Sequence, residues 1–206
     1  MKDTVRCAWA EGDPLSMRYH DTEWCVRQVH DDRTLFELMV LEAMQCGLSW
    51  RLILQRREAM RAAMDGFDPA AMAAYDDAKF AELLHTDGVI RMEGKLRAMS
   101  GNAARFLEMQ KDFGSFDAWL WSFTGGKSWR VLSHADSMPA KNALSEAVAA
   151  ALRKRGFRYL GPVTVYSYLQ AVGMLNDHSP DCFAARLLPC ETALTDADIR
   201  FTAEGL

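Results

Sequence analysis

The chain predicts an all-α domain, and three features carry that expectation. Apolar residues recur at helical spacing through most of the 206 residues. Alternation of the kind that marks strands is scarce. Gly, Pro and Asp punctuate the periodic stretches at intervals that suit helices joined by short turns. Half of the residues are hydrophobic, enough for one sizeable core and too many for disorder. Residues 1–206 are therefore read as a single domain.

The elements follow in order. "RCAWAEGDPLSMRYHD" contains Gly and Pro and is read as a segment that curls Cys7 and His20 inward. "DRTLFELMVLEAMQ" is a helix with Asp32 or Thr34 as its N-cap. "SWRLILQRREAMRAAM", "PAAMAAYDDAKFAELL", "MEGKLRAMSGNAARFLEMQKDF" and "SFDAWLWSFTGG" each predict a further helix. "NALSEAVAAALRKRG" starts near Asn142 or Ser145, carries basic residues in its last turn and has Gly156 just past its end. In "GFRYLGPVTVYSYLQAVG" a short turn leads into a second helix opened by Gly161-Pro162. The stretch from Phe183 to Leu206 shows little pattern and is read as a tail.

A net charge of -4 argues mildly against general nucleic-acid binding. "LRKRGFR" nonetheless gathers Arg153, Lys154, Arg155 and Arg158 beside the hairpin. Basic residues in a last helical turn complement the helix dipole and need no ligand. Beside backbone N–H groups at the start of the next helix, they also suit a DNA phosphate. No window approaches the ~20 apolar residues of a membrane span, and "MKDTVRCAWA" lacks the apolar run of a secretory signal. Five irregularly spaced cysteines do not form a disulfide framework, so a reducing cytoplasm is expected. Nothing suggests more than a monomer.

Two constellations point to chemistry. In "HSPDC", His178 and Cys182 lie four apart and supply half of a zinc tetrahedron. The other half is a Cys and a His from among Cys7, Cys25, Cys46, Cys190, His20, His30, His85 and His134. Cys7 and His20 suit best, because their segment curls while Cys46 and His85 fall within helical patterns. Four protein ligands leave no open position, so such a zinc is structural. The second constellation centres on Glu42, which shares a helix face with Leu35, Leu38, Met39 and Cys46, while Glu37 and Gln45 take another side. A carboxylate there needs a partner or a purpose. A salt bridge to a buried Arg is the ordinary answer; a ligand-facing acceptor is the other. Trp9, Tyr19, Trp24 and Trp50 gather in the neighbouring segments and could box a flat, cationic ligand.

At these residues the chain resembles the DNA-3-methyladenine glycosylase I family. The resemblance rests on "RCAWAEGDPLSMRYHDTEW", "LFELMVLEAMQCGLSW", "GVIR", "GNA", "KRGFRYLGP" and "YSYLQAVGMLNDH", in order across roughly residues 6 to 182. It implies a helix-hairpin-helix DNA glycosylase fold, with one structural Zn2+ held by Cys7, His20, His178 and Cys182 as a clip between the chain ends. It implies that Glu42 recognises the extruded base, that Trp50 stacks on it, and that Tyr19, Trp9 and Trp24 complete the pocket. Gly47 and Leu48 match the loop that enters the gap left by the flipped nucleotide; the hairpin around Gly161 and Thr164 matches the phosphate-binding element. The implied reaction is hydrolytic release of free 3-methyladenine from double-stranded DNA, without lyase activity. A zinc-stabilised DNA-binding module without catalysis is the competing expectation. Cys25 and Arg27 depart from the family's W-G-V-P, Met44 and Cys46 stand where smaller residues are usual, and Ser16 replaces an aromatic beside the pocket.

Overall fold

The computed structural model describes residues 4–131, 138–190, 192–195 and 197–199. Nine helices carry the described fold: α1 (Pro14–Thr22), α2 (Asp32–Gln45), α3 (Trp50–Ala63), α4 (Pro69–Ala73), α5 (Asp77–His85), α6 (Glu93–Phe113), α7 (Phe116–Ser122), α8 (Ala143–Lys154) and α9 (Pro162–Ala171). α2 is the hub, packing against α3, α6, α7 and α9. Leu35, Phe36, Leu38, Met39, Val40, Leu41, Ala43 and Met44 are all buried on it. With neighbours on nearly every side, α2 has no single core face, and it carries Glu42 into the interior.

Local chemistry sets the helix ends, in three places differently from expectation. The N-cap of α2 is Asp31, whose carboxylate accepts from the Thr34 N–H and hydroxyl. The segment read as one curl between Cys7 and His20 contains α1, with Pro14 in its first turn and Asp13 capping Ser16 N. The stretch from Pro69 to Leu84 is two helices, because Asp76 turns its carboxylate onto Lys79 N and starts α5 afresh. α8 opens as a reciprocal capping box of Asn142 and Ser145. It closes at Gly156, whose φ of +90° favours a residue without Cβ.

The all-α expectation needs one correction. β1 (Trp129–Val131), β2 (Leu175–Asn176) and β3 (Thr192–Leu194) form a small parallel sheet in the order β2-β1-β3. Strands of two or three residues are too short to show alternation, and these come from three separate parts of the chain. β3 and the buried Ile199 also tie down part of the segment read as a tail. No helix is long and apolar enough to cross a membrane among the described residues.

Candidate functional site

A cavity of about 320 Å³ opens between α1, α2, α3 and α9, lined by Trp9, Tyr19, Trp24, Glu42, Gln45, Trp50, Met138, Ser167 and Gln170. Every aromatic singled out in the sequence is there. The Tyr19 and Trp50 rings are tilted with centroids 5.1 Å apart. Trp9 meets Trp24 edge-on at 4.9 Å. Glu42 is 3 % exposed, and its Oε2 has no hydrogen-bond partner. It forms no ion pair among the described residues: Arg57, which α3 could offer, is held by Glu23 and Glu37 at 2.6 and 2.7 Å. Burial alone pushes the Glu42 carboxyl up to about 8. The Tyr19 hydroxyl and Trp50 Nε1 are likewise buried without partners. Three unsatisfied polar atoms on the lining of one cavity are costly without a ligand, and they invite one that is flat, polar at its edge and positively charged.

Behind the aromatic wall, Cys7, His20, His178 and Cys182 converge, all buried, their ligand atoms within 4.8 Å of one another. Cys182 Sγ lies 3.4 Å from His20 Nε2 and 3.5 Å from His178 Nδ1, and Cys7 Sγ lies 3.5 Å from His178 Nδ1. A tetrahedral zinc site has an S–N edge of about 3.6 Å. The second nitrogen of each ring is engaged, His20 Nδ1 with Asp21 at 2.8 Å and His178 Nε2 with the Trp24 carbonyl at 3.1 Å. Each ring therefore turns a lone pair toward the sulfurs. Ser179 N donates to Cys7 Sγ at 3.3 Å. The four groups fit a metal ion. The rival ligands are elsewhere: Cys25 bonds the carbonyls of Gln170 and Leu175, His30 pairs with Asp117, and His85 bonds its own helix. His134 lies outside the described residues.

The cluster also braces the cavity. Trp24 is stacked on His20 at 5.9 Å and edge-on to His178 at 4.7 Å.

The hairpin joins the end of α8 to the start of α9. α8 and α9 pack together, and Asn102 on α6 grips Arg158 through both its N–H and its carbonyl, at 2.8 and 2.9 Å. Gly161 caps α9 without a side-chain bond and is exposed. Arg155 pairs with Asp112, whereas Arg153, Lys154 and Arg158 have no carboxylate partner among the described residues. Thr164 Oγ1 sits 3.4 Å from Cys46 Sγ, which joins the hairpin to the loop of Gly47 and Leu48. Gly47 adopts φ +78° and is exposed.

A family model described as methyladenine glycosylase matches residues 9–185. The chain belongs to that family. DNA-3-methyladenine glycosylase 1 of Escherichia coli K12 is 39% identical over 178 residues, 86% of this chain and 95% of that protein. DNA-3-methyladenine glycosylase of Haemophilus influenzae is 36% identical over 191 residues, 92% and 100% of the two chains. Among solved structures, that of Staphylococcus aureus 3-methyladenine DNA glycosylase I, reported for its recognition of 3-methyladenine, superposes with a TM-score of 0.83 at 32% identity, covering 88% of this chain and 97% of that one. The methyladenine glycosylase family is one of hydrolytic enzymes, so the chain is an enzyme.

Sequence reasoning missed four lining residues of this glycosylase, Gln45, Met138, Ser167 and Gln170. Gln45 was read onto a different side from Glu42 but, three residues further along α2, it lines the same cavity. Ser167 and Gln170 share one face of α9, a helix read only for its hairpin. Ser16, expected beside the pocket, instead bonds Asp13 in the first turn of α1. Asp177 accepts from the Tyr166 hydroxyl and from Gln170 Nε2.

Proposed function

We propose that this chain releases 3-methyladenine from alkylated double-stranded DNA by hydrolysing the N-glycosidic bond. The observation that carries the proposal is the Glu42 carboxyl, buried without a partner in an aromatic-walled cavity. Methylation at N3 makes adenine cationic and weakens its bond to the sugar, so the enzyme's task is selection more than activation. Flipping the nucleotide costs a few kcal/mol, least for a damaged base. Stacking on Trp50 offsets this by ~1–3 kcal/mol. Glu42 holds a proton in the free site below about pH 8. Arrival of a cation favours the carboxylate, which then accepts from the base's exocyclic amine edge. Tyr19, Trp9 and Trp24 complete the box; the base leaves with the electrons of the broken bond, and water captures the sugar cation that stays in the DNA.

In this reading the loop of Gly47 and Leu48 fills the gap in the duplex, while Gly161 and Thr164 meet a phosphate. Among the described residues no lysine lines the cavity, which supports a monofunctional enzyme without lyase activity. Cys7, His20, His178 and Cys182 would hold one structural Zn2+, which when bound cross-links the N-terminal segment to residues 178–182 and leaves no site for water. The enzyme is read as a cytoplasmic monomer. A DNA-binding module without chemistry has no use for an unpaired buried acid. The test is incubation of methylated DNA with the purified chain and chromatography of the released bases. Release of 3-methyladenine is expected; binding without release contradicts the proposal.

A further inference from the structure

Gln170 shares the cavity with Glu42, and its amide is held in one orientation. Nε2 donates to Asp177 Oδ2 at 2.6 Å and to Met138 Sδ at 3.0 Å, so both amide hydrogens are engaged. With the NH2 group held on Asp177 Oδ2 and Met138 Sδ, the amide oxygen is turned the other way. Asp177 is buried and also accepts from the Tyr166 hydroxyl, which steadies it. The main-chain oxygen of Gln170 receives both the N–H and the thiol of Cys25. Gln170 is itself 3 % exposed. The two donated bonds hold the side chain, and its Oε1 accepts no hydrogen bond among the described residues.

We infer that Gln170 is a specificity-determining residue whose Oε1 gives the cavity a second fixed acceptor beside Glu42, with Asp177 as the positioning residue that sets the amide. This deepens the excision reading and rests on it. Two acceptors favour a purine whose six-position edge donates. An adenine-type base carries an amine there with two hydrogens. A guanine-type base carries an oxygen, which would face a fixed lone pair and leave both atoms buried and unpaired. A site built to bond one polar edge rejects the analogue lacking it far more strongly than shape alone does. The wall thus selects 3-methyladenine over 3-methylguanine, although both are cationic and of similar shape.

The test is single-turnover release of both bases from one methylated DNA, by the parent chain and by Gln170→Leu and Asp177→Asn. Thermal melting accompanies each variant. Gln170→Leu removes the acceptor at similar volume and is expected to lower the ratio of 3-methyladenine to 3-methylguanine release by about tenfold or more. Asp177→Asn lets the amide turn over; it should shift the ratio the same way, which a merely structural loss affecting both bases equally would not do. If Gln170→Leu does not fold, Asp177→Asn carries the test on the same ratio. An unchanged ratio in the folded variants overturns the assignment of Gln170. A parent chain that releases neither base contradicts the excision reading itself.

Discussion

Lys95 and Cys46 join the ends of two helices: from α6, the Lys95 Nζ donates to the Cys46 carbonyl at 2.5 Å and to that of Met44 at 2.8 Å. The side chain is 2 % exposed, and burial lowers the pKa of its ammonium. It satisfies carbonyls that the end of α2 leaves open and places a positive charge at the negative end of the helix dipole. Immediately beyond lies the turn of Gly47, which is exposed, and Leu48, which is half-buried against the core.

Lys95→Met should therefore loosen that turn while preserving the apolar packing of α6. Amide exchange at residues 46–49 is expected to quicken, and release from DNA to fall by about tenfold, while binding of free 3-methyladenine holds. Equal loss of both would mean that Lys95 serves the cavity and not the loop.

The pH dependence follows from Glu42. A carboxyl with an ordinary value of 4.5 is raised to about 8 by burial. Between those values the unfolded chain has lost a proton that the folded chain keeps, so this group makes stability fall as pH rises from about 4.5 to about 8. Glu42→Gln should melt higher than the parent at pH 8 and close to it at pH 4. Activity runs the other way: a cationic substrate favours the carboxylate, so kcat/KM should climb toward pH 8 and then level, a dependence the Gln variant lacks. Parallel profiles for the two chains would exclude Glu42 as the titrating group.

Trp50→Ala removes one wall of the box without touching the acid. Excision is expected to fall roughly 5- to 150-fold, the equivalent of one lost base–aromatic stack. Quenching of tryptophan fluorescence by the free base should shrink in step.

The Cys/His cluster predicts one zinc atom per chain by elemental analysis. Cys182→Ser, or a strong chelator, should lower Tm by several degrees and loosen Trp24, which is packed on both histidines. Metal-free protein with unchanged melting contradicts a structural role.

How much of this was legible beforehand depended on residue type. Glu42 stood out because an acid among Leu35, Leu38 and Met39 conflicts with its surroundings, and the four metal-ligand candidates stood out because Cys and His pairs are rare and spaced. Gln170 and Ser167 gave no such signal: neutral polar residues on a helix look like ordinary surface until α9 is seen to be buried. The sheet was illegible because its strands are a turn's length and gain their order from distant partners. Cys25 shows the reverse. Its φ of +53° lies in the region that favours glycine, and its thiol bonds to the carbonyls of Gln170 and Leu175 hold the side chain there.

The most direct test is the rate of 3-methyladenine release from methylated duplex by the parent chain and by Glu42→Gln at pH 7.5, with both proteins shown to be folded. The neutral amide keeps the shape of the acid but cannot become an anion facing a cationic base, so release should drop by two orders of magnitude or more while the variant melts at least as high as the parent. A Glu42→Gln chain as fast as its parent would contradict the central claim.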